Sequence, residues 1–164
     1  MEVLSLLSIE PYSWASIGTA IFCGSLIGLE RQLRGKPVGI RTSTLITLGT
    51  YIFLHTATLV TTTATDPSRV IGQVITGIGF LGAGVMLAKD GAVVGVTSAA
   101  TIWVLAAIGV VISEHYLLAA IQLSVVVVFI LYGMDLLEGH TRTFSRGVHA
   151  RYLAGKKNSS NNFS

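Results

Sequence analysis

The chain has 164 residues, of which 51% are hydrophobic and only 12% charged, and its formal net charge is +3. A soluble domain of this size carries about 25% charged residues, so this composition excludes an ordinary soluble fold, and the length leaves no room for a Rossmann or barrel enzyme domain. The single cysteine, Cys23, excludes a disulfide framework and a Cys/His zinc cluster.

Where the charges fall is decisive. Residues 11–29, 42–65, 70–88, 91–113 and 115–134 contain no Asp, Glu, Lys or Arg. A run of about 18 or more uncharged, apolar residues can cross a bilayer core of about 30 Å as one helix. Five in succession predict an all-α membrane protein with five transmembrane helices, residues 1–137, followed by a basic and then Ser/Asn-rich tail, residues 138–164. Met1–Ile9 has no basic residue and the first run ends in Gly28-Leu29-Glu30-Arg31, so a cleavable signal peptide is not expected.

Orientation follows from Lys and Arg. Arg31, Arg34, Lys36 and Arg41 lie between spans one and two, Lys89 between three and four, and Arg142, Arg146, Arg151, Lys156 and Lys157 after span five. The opposite side holds Arg69 alone. This bias predicts an outside N-terminus and a cytoplasmic C-terminus. It also assigns the basic pI to topology, so no nucleic-acid partner is expected.

In span one, Ser16, Ala20, Gly24 and Gly28 recur every fourth residue, a small-residue ridge for close helix packing. The loop that follows gathers Glu30, Arg31, Arg34 and Arg41. A guanidinium can grip a carboxylate or a lipid phosphate with a two-pronged fork, so this collar is a candidate polar site as well as a topological anchor.

Span two places Thr44, Thr47, Tyr51, His55, Thr58 and Thr62 in helical register, a polar stripe that should face protein or water. Its hydroxyls can bond back to their own helix, and His55 is the residue there most worth testing.

Span three opens with Asp66-Pro67-Ser68-Arg69, a helix start with Asp as N-cap and Pro at the first helical position. Asp66, Arg69 and Gln73 form a candidate outer site for an anion, a headgroup or a partner's carboxylate. Gly77, Gly79 and Gly82 match G-x-G-x-x-G formally, but no strand precedes them and no acidic residue follows at the ribose-binding distance. With Gly84 they read as helix-packing glycines.

Ala88-Lys89-Asp90-Gly91-Ala92 then predicts a small cytoplasmic hairpin or re-entrant loop before span four, whose membrane part starts near Thr97 in a hydroxyl-rich stretch. Span five is bulky and β-branched from Val125 to Leu131 and is expected to face lipid most.

Four segments in one register, Gly24–Thr42, Asp66–Arg69, Gly77–Gly84 and Gly95–Trp103, resemble the MgtC/SapB family of bacterial membrane proteins, over roughly residues 15–135. The resemblance implies a five-span inner-membrane protein linked to growth in low magnesium, to acid tolerance and to virulence. It implies partners among other membrane proteins, including the proton-translocating ATP synthase, and a likeness to the form lacking a C-terminal soluble domain. A homo-oligomer is expected too. A link to Mg2+ comes from the resemblance alone. Glu30, Asp90, Asp135 and Glu138 lie near the cytoplasmic face but do not form an indicated metal site.

No Ser/His/Asp, Cys/His or paired-carboxylate set lies at matching depth, so neither catalysis nor a cofactor is expected. A regulatory protein working through helix contacts is the first reading. The alternative is a small ion or solute transporter or channel.

Overall fold

The computed structural model describes residues 8–60, 67–89 and 92–140. Among them are five helices, α1 (Trp14–Leu33), α2 (Ile40–Val60), α3 (Pro67–Val85), α4 (Val96–Ser113) and α5 (Leu117–His140), and two strands, β1 (Leu87–Lys89) and β2 (Ala92–Val94). The helices α2 to α5 are long and apolar enough to cross a membrane. In α1, 20 residues long, polar residues dilute the apolar content, and three of them, Ser16, Glu30 and Arg31, are buried on its packed side. Thr62 and Asp66 of the expected stripe and N-cap, the Asp90-Gly91 turn, and the tail from Thr141 lie outside the described residues.

Two compact units divide the chain, Met1–Val128 and Phe129–Ser164. In the first, α1 packs along α2, α2 against α4, and α3 against α4. The predicted ridge explains the first contact. A Cβ on Gly24 would stand 2.6 Å from the Thr44 Cα, and one on Gly28 2.6 Å from the Ile40 Cα, so the two backbones touch. Gly109 does the same for α4, where an added Cβ would lie 2.6 Å from the Thr50 Cβ. Between these close approaches sits the core: Ala20, Cys23, Ile27, Tyr51, Leu105, Ile108 and Ile112. Early in α5, Ala120 and Ser124 are fully buried, with the Ser124 hydroxyl bonded to the Ala120 carbonyl at 2.8 Å and beside the Cys23 thiol. In the second unit, the described residues are the continuation of α5, where Phe129 and Ile130 are exposed.

The middle of the polar stripe of span two turns inward, while Thr58 near its end is exposed. Thr47 and Tyr51 are fully buried, and His55 nearly so. Thr47 bonds to the Ser43 carbonyl at 3.1 Å and Thr58 to that of His55 at 2.7 Å, while Thr44 reaches the Ser25 hydroxyl at 3.1 Å. The Thr47 and Thr58 hydroxyls are therefore satisfied by their own helix, and those of Thr44 and Tyr51 by Ser25 and Ser13, as an apolar medium requires.

The short hairpin is present as β1 and β2, antiparallel, with Leu87 opposite Val94 and Lys89 opposite Ala92. Gly95 closes it at φ 91°, where a Cβ would collide with the Val85 carbonyl oxygen, so the turn into α4 demands glycine. Within the chain α3 and α5 are both little buried, and Val125, Val126, Phe129 and Ile130 of α5 are exposed.

Candidate functional site at the junction of α1 and α4

The site begins with how α1 stops. Gly35 adopts φ 61°, the Gly35 N–H bonds to the Gln32 carbonyl at 3.1 Å, and the Lys36 N–H to that of Arg31 at 2.9 Å. This is a Schellman motif, which satisfies the last carbonyls and reverses the chain. The Gln32 side chain then accepts the Ile40 N–H at 3.3 Å, joining the end of α1 to the start of α2.

Just before that stop, α1 buries two opposite charges side by side. Arg31 is only 3% exposed, and its Nη2 donates to the Ser98 hydroxyl at 2.9 Å, tying the end of α1 to the first turn of α4. Glu30 is 8% exposed, and its Oε1 lies 2.9 Å from the Nε of Arg34, an i,i+4 ion pair at the rim. Neither carboxylate oxygen of Glu30 has an aligned hydrogen bond, and Arg31 Nε has none either. Proximity to Arg34 supplies charge compensation without hydrogen-bond geometry, so the cluster is held by charge more than by directed bonds.

The collar expected from sequence is thus only partly assembled. Glu30, Arg31 and Arg34 come together, whereas Arg41 is exposed on the first turn of α2 and joins no described ion pair. Ser98, the partner of Arg31, was visible only as part of a hydroxyl-rich helix start, and sequence reasoning did not connect it to α1, 67 residues away.

At the opposite end of the first unit, the segment before α1 crosses α2. His55 Nε2 bonds to the Pro11 carbonyl at 3.0 Å, the Tyr12 and Thr56 hydroxyls lie 2.7 Å apart, and the Ser13 N–H donates to the Tyr51 hydroxyl at 3.3 Å. His55 therefore has a structural tether. Arg69 and Gln73 of the expected outer site are both exposed on α3.

The helix-packing glycines divide in two. Gly24 and Gly28 meet backbone, and Gly82 lies in ordinary contact with Ala99 at 3.6–3.9 Å. At Gly77, Gly79 and Gly84, together with Gly72, an added Cβ meets nothing within 4 Å among the described residues. Beside them an apolar groove of about 680 Å³ runs between α2 and α3, lined among others by Leu45, Gly49, Phe53, Gln73, Gly77 and Leu81. Among the described residues, no three His, Cys, Asp or Glu side chains converge on a point where they could hold a metal ion.

With this geometry in view, comparison with known proteins gives a clear relation. The model of the MgtC family matches residues 17–140. The chain belongs to the MgtC family. YhiD of Escherichia coli strain K12, named as a candidate magnesium transporter, is 43% identical over 119 residues, 68% of this chain and 55% of YhiD. MgtC of Brucella abortus strain 2308 is 43% identical over 96 residues, 58% of this chain and 40% of that protein. MgtC of Salmonella typhimurium strain 14028s is 43% identical over 91 residues, 56% of this chain and 38% of that protein. The chain spans about half the length of the curated relatives it matches, or less. No solved structure matches it.

The family membership and the four long apolar helices make this MgtC-family chain a multi-pass bacterial membrane protein in contact with the lipid bilayer.

Proposed function

We propose that this MgtC-family protein is a regulatory, non-enzymatic protein of the bacterial inner membrane, acting through helix contacts with other membrane proteins during adaptation to low magnesium or acid stress. In a pathogen the same role would serve virulence. The N-terminus is outside and the C-terminus cytoplasmic. Homo-oligomers and the ATP synthase are the candidate contacts that the family resemblance brings.

One observation carries this reading. Where glycine occurs at a helix contact inside this chain, as at Gly24, Gly28 and Gly109, another helix stands against it. On α3, Gly72, Gly77, Gly79 and Gly84 have no such neighbour among the described residues, and Arg69 and Gln73 are exposed on the same helix. Each glycine in a helix interior costs roughly 1 kcal/mol relative to alanine, and polar groups facing hydrocarbon cost more. A helix from another chain would offset both costs, by close packing on the glycines and by partners for the polar groups. Acyl chains would remove neither.

Capture after cross-linking from residues beside Gly72 and Gly79, in native membranes, tests this. The expected result is a discrete membrane-protein adduct that disappears in Gly79→Leu at unchanged abundance. Cross-linking to lipid alone would refute it.

The transporter reading is favoured by the name given to YhiD. The groove between α2 and α3 weighs against it, since Gln73, Thr42 and Thr50 are the polar side chains in an otherwise apolar lining and an ion path needs replacement of hydration oxygens. Magnesium flux in proteoliposomes holding this protein alone would establish transport.

A further inference from the structure

The turn from α4 into α5 ends in the same motif that ends α1. The His115 N–H bonds to the Ile112 carbonyl at 3.0 Å and the Tyr116 N–H to that of Val111 at 3.2 Å. In α1 the left-handed position of this motif is Gly35, at φ 61°; here it is His115, at φ 63°. A histidine in that conformation is uncommon and carries a strain that glycine avoids. What the histidine gains is position: its ring stands against that of His55, with centroids 5.8 Å apart and planes at 87°.

His55 is already oriented. It is 9% exposed, forms a triangle of rings with Tyr12 and Tyr51, at 5.4 and 5.6 Å, and uses Nε2 on the Pro11 carbonyl. In the neutral ring Nε2–H is then the donor and Nδ1 keeps the lone pair. A backbone carbonyl holding the distal nitrogen is the usual arrangement behind a metal-ligating histidine.

Two such rings can share one ion only if their spacing fits and a nitrogen of each can turn to it. With a metal–nitrogen bond of about 2.0–2.1 Å, each ring centroid stands about 3.2 Å from the metal, and tetrahedral geometry separates the centroids by about 5.2 Å. With one nitrogen of each ring turned to the ion, the 5.8 Å found between His55 and His115 would give an N–metal–N angle of about 130°, an arrangement that requires rotation of the exposed His115 ring. We propose that His55 and His115 form a two-histidine site for a borderline d-block dication such as zinc, at the end of the bundle opposite Arg31, with water completing the coordination. Imidazole nitrogen selects this class of ion over magnesium, which takes oxygen ligands.

The test uses the full chain in lipid nanodiscs, without a histidine tag and with His140→Ala and His149→Ala to silence the other histidines. Co2+ is titrated in mildly alkaline buffer, read by its visible d–d absorption, and then displaced with Zn2+. The expected result is one Co2+ per chain, displaced by Zn2+ and unaffected by excess Mg2+. His115→Gly relieves the left-handed strain, so it should raise the thermal midpoint while weakening binding at least about tenfold. His115→Asn, whose side chain also tolerates that conformation, should lose binding with an unchanged midpoint, and His55→Gln should lose it as well. Co2+ affinity that is unchanged in the His115 variants, or the absence of binding in the parent, would overturn the site.

Discussion

The same substitution, glycine to alanine, is expected to have opposite effects on α1 and α3. In Gly24→Ala the new methyl would lie 2.6 Å from the Thr44 Cα and 2.9 Å from both the Ser43 carbonyl oxygen and the Thr44 nitrogen. Carbon atoms in contact prefer about 3.5–4.0 Å, so α1 and α2 must part by about 1 Å at this level. The obstructing atoms are backbone and cannot rotate aside, which puts the overpacking cost near the upper end of its usual range, about 3 kcal/mol. Separation also stretches the Ser25 to Thr44 hydroxyl contact, now 3.1 Å. Alanine returns about 1 kcal/mol through helix propensity. The net loss is about 2 kcal/mol, a factor of roughly 30 in the folding equilibrium. Gly79→Ala meets nothing within 4 Å and should stabilise an isolated chain by up to about 1 kcal/mol. Reversible unfolding of the monomer in detergent micelles, followed by helical circular dichroism, measures both. A Gly24→Ala protein as stable as the parent, or a Gly79→Ala protein as damaged as Gly24→Ala, would refute the reasoning. In native membranes Gly79→Ala should instead cost function at constant abundance, since there a partner helix is expected on that face.

Ser98→Ala strands the buried Arg31 Nη2 and should lower stability by about 1–3 kcal/mol, a loss that Ser98→Thr partly restores in thermal unfolding. Gly35→Ala forces a side chain into φ 61° and should cost about 1 kcal/mol or more by the same assay. A reporter fused after Phe163 should be active only as a cytoplasmic fusion; alkaline phosphatase activity there would overturn the orientation. Arg69→Ala should abolish function at unchanged abundance, and the double substitution Asp66→Arg with Arg69→Asp should fail to rescue it. A working double mutant would reduce Asp66 and Arg69 to a structural pair.

Much of the architecture was legible from one-dimensional pattern. Charge-free runs located the helices because hydrocarbon excludes charge wherever the chain folds, and the four-residue spacing of Ser16, Ala20, Gly24 and Gly28 announced a close contact because a helix repeats every 3.6 residues. The stripe containing Thr47, Tyr51 and His55 was legible for the same reason, and turn-forming residue types pointed to the hairpin of β1 and β2.

Periodicity reports which residues share a face, however, and not what that face meets. Gly24 and Gly79 look alike in sequence, yet one touches the Thr44 backbone and the other open space. Which faces of α1 and α3 meet a neighbouring helix separates them. Arg31 was readable as a positively charged anchor near the membrane surface, but its burial and its bond to Ser98 required α4 to dock against the end of α1. His55 and His115 are 60 positions apart, and nothing local in either span relates them. Their rings meet because the α4–α5 turn and the end of α2 arrive at the same end of the bundle. Local sequence sets the period and polarity of each helix, whereas contacts between helices depend on where several chain segments stop in three dimensions, and only the tertiary fold holds that information.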